Sequence, residues 1–155
     1  MADAGFSQRF RALVEGQGGQ FSSDGWTSAT TKSWSAGGRL QTHLSSFRPD
    51  LVIVVLGANE VFVPAPETLA PFVQRIVAQL KGRPCLWVSP PLWKGETGIV
   101  GVERANSSPC AFFDSGTLAI ERAKAGIHPT HKGGADWADQ VWAQMFAIGS
   151  AREQR

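Results

Sequence analysis

Residues Leu51 to Glu60 read LVIVVLGANE. The first seven of them, up to Gly57, include no polar side chain. An apolar run without alternation is typical of a strand covered on both faces, as in the middle of a parallel sheet flanked by helices. In open α/β sheets the ligand-binding and catalytic residues lie just beyond the carboxyl ends of the strands. The stretch therefore predicts a central strand and places Asn59 at a candidate site.

The rest of the chain alternates between helical and strand-like patterns. Helical spacing of apolar residues predicts four helices, at roughly 6–14, 40–47, 67–80 and 131–146. Apolar runs predict two more strands, at 85–89 and 110–114. Less regular stretches are expected to form a loop at 22–35, which is either functional or a flexible connector, an edge strand near Phe21, a loop or lid at 92–109 and one or two helical turns at 117–124. The alternation predicts an α/β fold with a parallel sheet and helices on both faces.

The length and the charge of the chain limit the classes of protein to which it can belong. A chain of 155 residues fits a single domain, 1–155, with a core of its own. The formal charge of +2 comes from 15 basic and 13 acidic residues spread along the chain, so no nucleic-acid footprint is expected. No apolar run is long enough to span a bilayer, and the first residues lack the pattern of a signal peptide.

The two cysteines, Cys85 and Cys110, match no metal-binding spacing. Each begins a predicted strand, so the two sulfurs could form a disulfide if those strands are parallel neighbours in register. Two buried thiols are the alternative. A disulfide together with a signal peptide upstream of the printed start would indicate a secreted or periplasmic protein, and otherwise a cytoplasmic location is expected.

His128 lies in GIHPT, residues 126–130, just before the last predicted helix. Pro129 restricts His128 to extended backbone conformations, which holds its imidazole in a fixed direction. Because His128 follows the third predicted strand, we expect it at the same sheet edge as Asn59. A histidine base and an asparagine amide at one site suit acyl transfer.

These two blocks resemble those of the SGNH, or GDSL-type, serine ester hydrolases. GANE at 57–60 is similar to the family's Gly-x-Asn-Asp block, and GIHPT with the following Gly133 and Trp137 is similar to its terminal Asp-x-x-His block. The resemblance covers nearly the whole chain. It implies a flavodoxin-like, three-layer α/β/α sandwich and an esterase, lipase or carbohydrate acetyl esterase activity.

The resemblance also implies roles for individual residues. Asn59 would donate to the oxyanion and His128 would act as the general base. A second oxyanion donor would come from the loop after residue 23, where the match is open between Gly25 and the backbone amide near Ser28, and Gly25 is carried over. No metal or organic cofactor is implied, and the partner would be a small acyl ester or an acetylated saccharide.

The chain departs from the family pattern at several points. The Gly-Asp-Ser block with the nucleophile, and the strand before it, do not occur, so we expect the serine to lie upstream of Met1. Ser7 is a poor substitute because it falls inside the first predicted helix. Ala125 stands where the triad acid is expected, with Asp114 and Asp136 as the nearest other carboxylates in sequence. Glu60 replaces the usual Asp and is interpreted as a charge at the rim.

Two consequences follow from the missing block. The chain could be a catalytically inactive family member that keeps its cleft as a binding module. Without the family's first strand, the strand from Leu51 would also expose an unpaired edge, through which the chain could associate with itself.

Overall fold

The structure, a computed structural model, describes residues 4–93 and 95–153. Helices and strands alternate along this part of the chain. The helices are α1 (Ala4–Gly16), α2 (Thr31–Ser35), α3 (Arg39–Phe47), α4 (Ala70–Gln79), α5 (Ile99–Asn106) and α6 (His131–Glu153). The strands are β1 (Val52–Val55), β2 (Cys85–Val88) and β3 (Ala111–Phe113), and a 3-10 turn at Pro66–Leu69 precedes α4.

The three strands form one parallel sheet in the order β1-β2-β3. Val52 of β1 lies opposite Cys85 of β2, and Leu86 of β2 lies opposite Ala111 of β3. The prediction of an α/β fold with a parallel sheet is confirmed. β2 is the middle strand, however, and β1 lies at an edge of the sheet, so the expected central position of β1 is wrong for the described strands. Self-association through this edge stays a prediction.

One face of the sheet packs against α3 and α4. Val54 of β1 and Trp87 of β2 belong to a buried cluster to which α4 contributes Ile76. Side chains alternate across a strand, so Leu86 and Val88 point to the other face of β2, and both are also buried. Burial on both faces explains why the sequence of the middle strand shows no polar alternation.

Cys85 and Cys110 form a disulfide between β2 and the residue before β3. Their Cα atoms are 4.7 Å apart, because the parallel register of β2 and β3 brings the two residues side by side. Both sulfur-bearing side chains pack against the core cluster of the sheet. The alternative of two free thiols is therefore wrong for this structure, and the cellular location stays a prediction.

Helix α5 occupies the stretch that was predicted to be a loop or lid at 92–109. Its side chains Ile99 and Val100 are buried, and so is Glu103 one turn later. The helical pattern was missed because one of the three inward positions carries a charged residue type.

Three other short stretches also differ from the prediction. α2 lies inside the predicted loop at 22–35. The described residues around Phe21 include no strand. The predicted helical turn at 117–124 is instead irregular, and Arg122 forms an isolated antiparallel bridge with Pro129.

Packing between α1 and α6 organises a second group of residues. The rings of Phe6 and Trp137 have centroids 4.5 Å apart, and those of Phe10 and Trp142 are 5.5 Å apart with edge-to-face geometry. Such aromatic pairs add to the stability gained from burial alone. The apolar faces predicted for the first and last helices thus pack against each other.

The chain folds into two compact units. The first is Asp24–Thr117, which holds the sheet, and the second combines Ala2–Ser23 with Leu118–Arg155. The boundaries of the predicted single domain, 1–155, stay a prediction. Within the part of the chain that the structure describes, no helix has the length and apolar character required to cross a membrane.

Candidate functional site

Asn59 lies in a tight turn that follows β1. Gly57 has a φ of +96°, a conformation that residues with a side chain rarely adopt. A Cβ atom on Gly57 would also lie 2.4 Å from Oε1 of Glu103. The amide of Glu60 closes the turn by donating to the carbonyl of Gly57 at 2.9 Å. Glycine is therefore favoured here by the backbone conformation, and any Cβ would also force the buried Glu103 side chain to shift.

The side chain of Asn59 is held from outside its own turn. Its Nδ2 donates to the carbonyl oxygen of Ala29 at 2.8 Å. An asparagine amide carries two hydrogens on Nδ2, so one fixes the direction of the group and the other remains to donate to a ligand. Ala29 is a contact that the sequence pattern did not indicate, because it lies 30 residues away along the chain.

Glu60 ties the same two segments together. Its carboxylate accepts from the backbone amide of Thr31 at 2.9 Å and from the Thr31 hydroxyl at 2.6 Å. Glu60 and Thr31 are both buried. The interpretation of Glu60 as a charge at the rim is therefore wrong: with Asn59, it fastens the exit of β1 to the segment from Ala29 to Thr31.

Gly25, the other predicted oxyanion donor, lies in the exposed part of the same loop. Its backbone amide hydrogen-bonds to the carboxylate of Asp24. Arg39 also binds that carboxylate, and its hydrogen bond is the main reason why the pKa of Asp24 lies below its ordinary value. The same guanidinium lies 4.4 Å from the ring centroid of Trp26. These contacts anchor the loop, and the role of Gly25 stays a prediction.

A second carboxyl group lies beneath the turn. Glu103 has no solvent exposure, and neither of its carboxyl oxygens has a hydrogen-bond partner among the described residues. Burial raises the pKa of Glu103 well above its usual range, and the negative charges of Glu60 and Glu96 act in the same direction. The indole N–H of Trp87 opposes this shift, although the two groups do not meet hydrogen-bond geometry. Burial therefore favours the neutral form of the Glu103 carboxyl.

His128 lies in a short antiparallel ribbon of the second unit. Its carbonyl accepts from the amide of Ala123 at 2.9 Å, and the side chain is exposed. Ala125, where the resemblance predicts an acid, lies in the turn between these two residues and is also exposed. The turn is closed by the amide of Gly126, which donates to the carbonyl of Ala123 at 2.7 Å.

Thr130 connects this ribbon to α6. Its hydroxyl accepts from the amide of Gly133 at 2.9 Å, which confirms the predicted cap, and donates to Oε1 of Glu121 at 2.6 Å. A Cβ on Gly133 would lie 2.1 Å from the carbonyl oxygen of Glu121, so only glycine allows the helix this close. The ribbon and the first turn of α6 thus pack as one piece.

The remaining sequence candidates are engaged elsewhere. Asp136 accepts from Lys132 at 2.5 Å, and Asp114 pairs with Arg104. Ser7 lies inside α1, as its helical spacing predicted. Asn59 and Gly25 belong to the first compact unit and His128 to the second.

Comparison with protein-family profiles and with curated proteins finds no match for this chain. Among residues 4–93 and 95–153, no group of three or more His, Cys, Asp and Glu side chains is arranged to hold a metal ion. The assignment of a function therefore depends on the residues themselves and on their resemblance to a known site.

Proposed function

We propose that this chain functions as an ester hydrolase of the SGNH type, acting on a small acyl ester or an acetylated saccharide. In this proposal Asn59 donates to the oxyanion that forms on the ester carbonyl, and Gly25 supplies a second donor. His128 is the general base. The proposal includes the finer fold, a flavodoxin-like three-layer sandwich of which β1, β2 and β3 are part.

The main support for the proposal is that hydrogen bonds fix the position of the Asn59 side chain. Oxyanion donors accelerate a reaction when they are fixed in advance, because no reorganisation is then needed as charge develops. Asn59 lies in the turn just beyond the carboxyl end of β1, where catalytic groups are expected in this class of fold. One of its amide hydrogens is bound to Ala29, and the neighbouring Glu60 is bound to Thr31. Such fixed geometry is what an oxyanion donor requires.

The proposal places the nucleophilic serine outside the printed sequence, since the family's Gly-Asp-Ser block does not occur within it. The genomic sequence before the codon for Met1 tests this directly. An in-frame Gly-Asp-Ser is expected there, and an immediate stop codon would exclude a serine from that source.

The enzymatic test measures hydrolysis of p-nitrophenyl acetate by the printed chain and by the chain extended with its natural upstream coding sequence. Asn59→Ala is expected to lower kcat by about 10²–10³-fold in the active chain, the usual effect of removing one oxyanion donor. His128→Ala should lower it at least as much. His131→Ala is the matched control, because His131 is another exposed histidine of the same unit and should leave the rate unchanged.

Equal rates for His128→Ala and His131→Ala would contradict the role of His128, since exposed imidazoles can cleave activated esters unspecifically. The absence of turnover in both chains would contradict the enzymatic proposal altogether.

Ala125 favours a second candidate, a binding module that keeps the cleft of an inactive family member. A non-ionisable side chain is exposed in the turn where the family has its acid. This candidate predicts saturable binding of an acetylated saccharide, measured by calorimetry, without turnover. Asn59→Ala should weaken that binding, because in the wild-type chain the Asn59 amide would still donate to the ester carbonyl of the bound saccharide.

A further inference from the structure

We propose that Glu121 is the positioning residue for His128, in place of the acid that is missing at Ala125. This inference rests on the proposed function of His128 as a base. Its structural part is a hydrogen bond between the two side chains. The structure does not show this bond in the present rotamers of the two exposed side chains, so it requires them to rotate towards each other and can be tested separately.

The backbone of the second unit brings Glu121 and His128 to one face. Arg122 and Pro129 lie opposite each other in an antiparallel bridge. The amide of Ala123 donates to the carbonyl of His128 at 2.9 Å, and the amide of Thr130 donates to the carbonyl of Glu121 at 3.0 Å. These two hydrogen bonds flank the bridge and fix the pairing register.

Side-chain alternation then decides which residues share a face. Arg122 and Pro129 project to one side of the ribbon, and their neighbours project to the other. Glu121 and Ala123 therefore lie on the same side as His128 and Thr130. The hydrogen bond from the Thr130 hydroxyl to Oε1 of Glu121, 2.6 Å long, agrees with this assignment.

Glu121 and His128 are diagonal neighbours on that face. Diagonal pairs in an antiparallel ribbon are separated by about 7–8 Å, a distance that a side chain as long as glutamate can span. The hydroxyl of Thr130 occupies Oε1 of Glu121, so Oε2 is the oxygen that would accept from Nδ1–H of His128. Thr130 is itself fixed by the amide of Gly133 in α6.

The chemistry matches the task of the missing acid. A carboxylate that accepts from Nδ1–H holds an imidazole in the tautomer whose Nε2 can take a proton, and it stabilises the imidazolium that then forms. Asp114 and Asp136, the other carboxylates considered for this role, are paired with Arg104 and Lys132. Glu121 is a better candidate because it shares a ribbon face with His128.

The test reads the tautomer of His128 from long-range proton–nitrogen correlation spectra, recorded at alkaline pH where the ring is neutral. The Nδ1–H tautomer is expected to dominate in the wild-type chain. Glu121→Gln should reverse the preference: the Gln Oε1 keeps the bond from Thr130, and its Nε2 then offers a donor instead of an acceptor. Asp136→Asn removes the same charge in the same unit and should leave the tautomer unchanged.

Dominance of the Nε2–H tautomer in the wild-type chain overturns the inference whatever the variant does, including a variant that does not fold. An equal tautomer ratio in wild type and Glu121→Gln overturns it as well. Should the tautomer respond to Glu121→Gln while no ester is hydrolysed, the contact between Glu121 and His128 is supported and only the proposed function fails. In an active chain, Glu121→Gln should lower kcat by at least tenfold with little change in KM.

Discussion

Reduction of the disulfide between Cys85 and Cys110 should destabilise the first unit strongly. The bond closes a loop of 25 residues. In the chain-entropy model such a crosslink removes about 11.7 cal/mol/K from the unfolded chain, which is about 3.5 kcal/mol at 25 °C. This is a large part of the roughly 5–15 kcal/mol that separates folded from unfolded states of typical proteins.

Urea unfolding, followed by tryptophan fluorescence with and without a phosphine reductant, measures the effect. Trp87 is buried in the same cluster as the bond, and four of the six tryptophans lie in the first unit, so most of the emission reports that unit. With a denaturant slope of about 2 kcal/mol/M, the midpoint should fall by about 1.7 M on reduction. A Cys85→Ala/Cys110→Ala chain is the control, because the reductant should not change its midpoint.

Thiol titration under denaturing conditions must accompany the unfolding curves. It should find no free thiol before reduction and both thiols after it. An unchanged midpoint in a chain shown to be fully reduced would refute the reasoning from loop entropy. Free thiols in the untreated, air-oxidised chain would refute the crosslink itself.

Two further predictions concern the buried groups around the β1 turn. Because burial raises the pKa of Glu103, the folded state keeps a proton that the unfolded state releases; the stability of the wild-type chain should therefore fall as pH rises from the ordinary glutamate value towards the raised one. Glu103→Gln should remove that pH dependence, and urea midpoints measured across this pH range would show the change. An equal decline of the midpoint in the wild-type and Glu103→Gln chains would contradict the role of Glu103. Thr31→Val should cost about 1–3 kcal/mol, because it leaves a buried oxygen of Glu60 without its donor, whereas Thr31→Ser should be close to wild type. Equal unfolding free energies for these two variants would show that the hydroxyl contributes nothing.

The sheet and the long helices could be predicted because their patterns are local. The apolar runs that became β2 and β3 were visible in sequence, and so was the stripe of α6. α5 was not predicted, because Glu103 stands at one of its inward positions. Its burial against Gly57 is a tertiary contact that no local pattern reveals.

The candidate site was predicted only as far as single residues. Asn59 and His128 were predicted as site residues from short blocks, but the observed partner of Asn59 and the proposed partner of His128 come from distant or irregular segments. Ala29 binds Asn59 across 30 residues, and Thr31 binds Glu60 across 29. Glu121 was assigned to a predicted helical turn, in which its side chain would not share a ribbon face with His128. The face on which Glu121 lies is set by antiparallel pairing with the segment around Pro129, which a local sequence pattern does not reveal.

Two separate features of the structure act on the same position, Gly57. Its positive φ disfavours most side chains through the backbone, and a Cβ would force the carboxyl of Glu103 to shift. A shorter residue at 103 would relieve only the second constraint. Shortening Glu103 should therefore not make a Gly57→Ala substitution tolerable, because residue 57 would still have to adopt a positive φ.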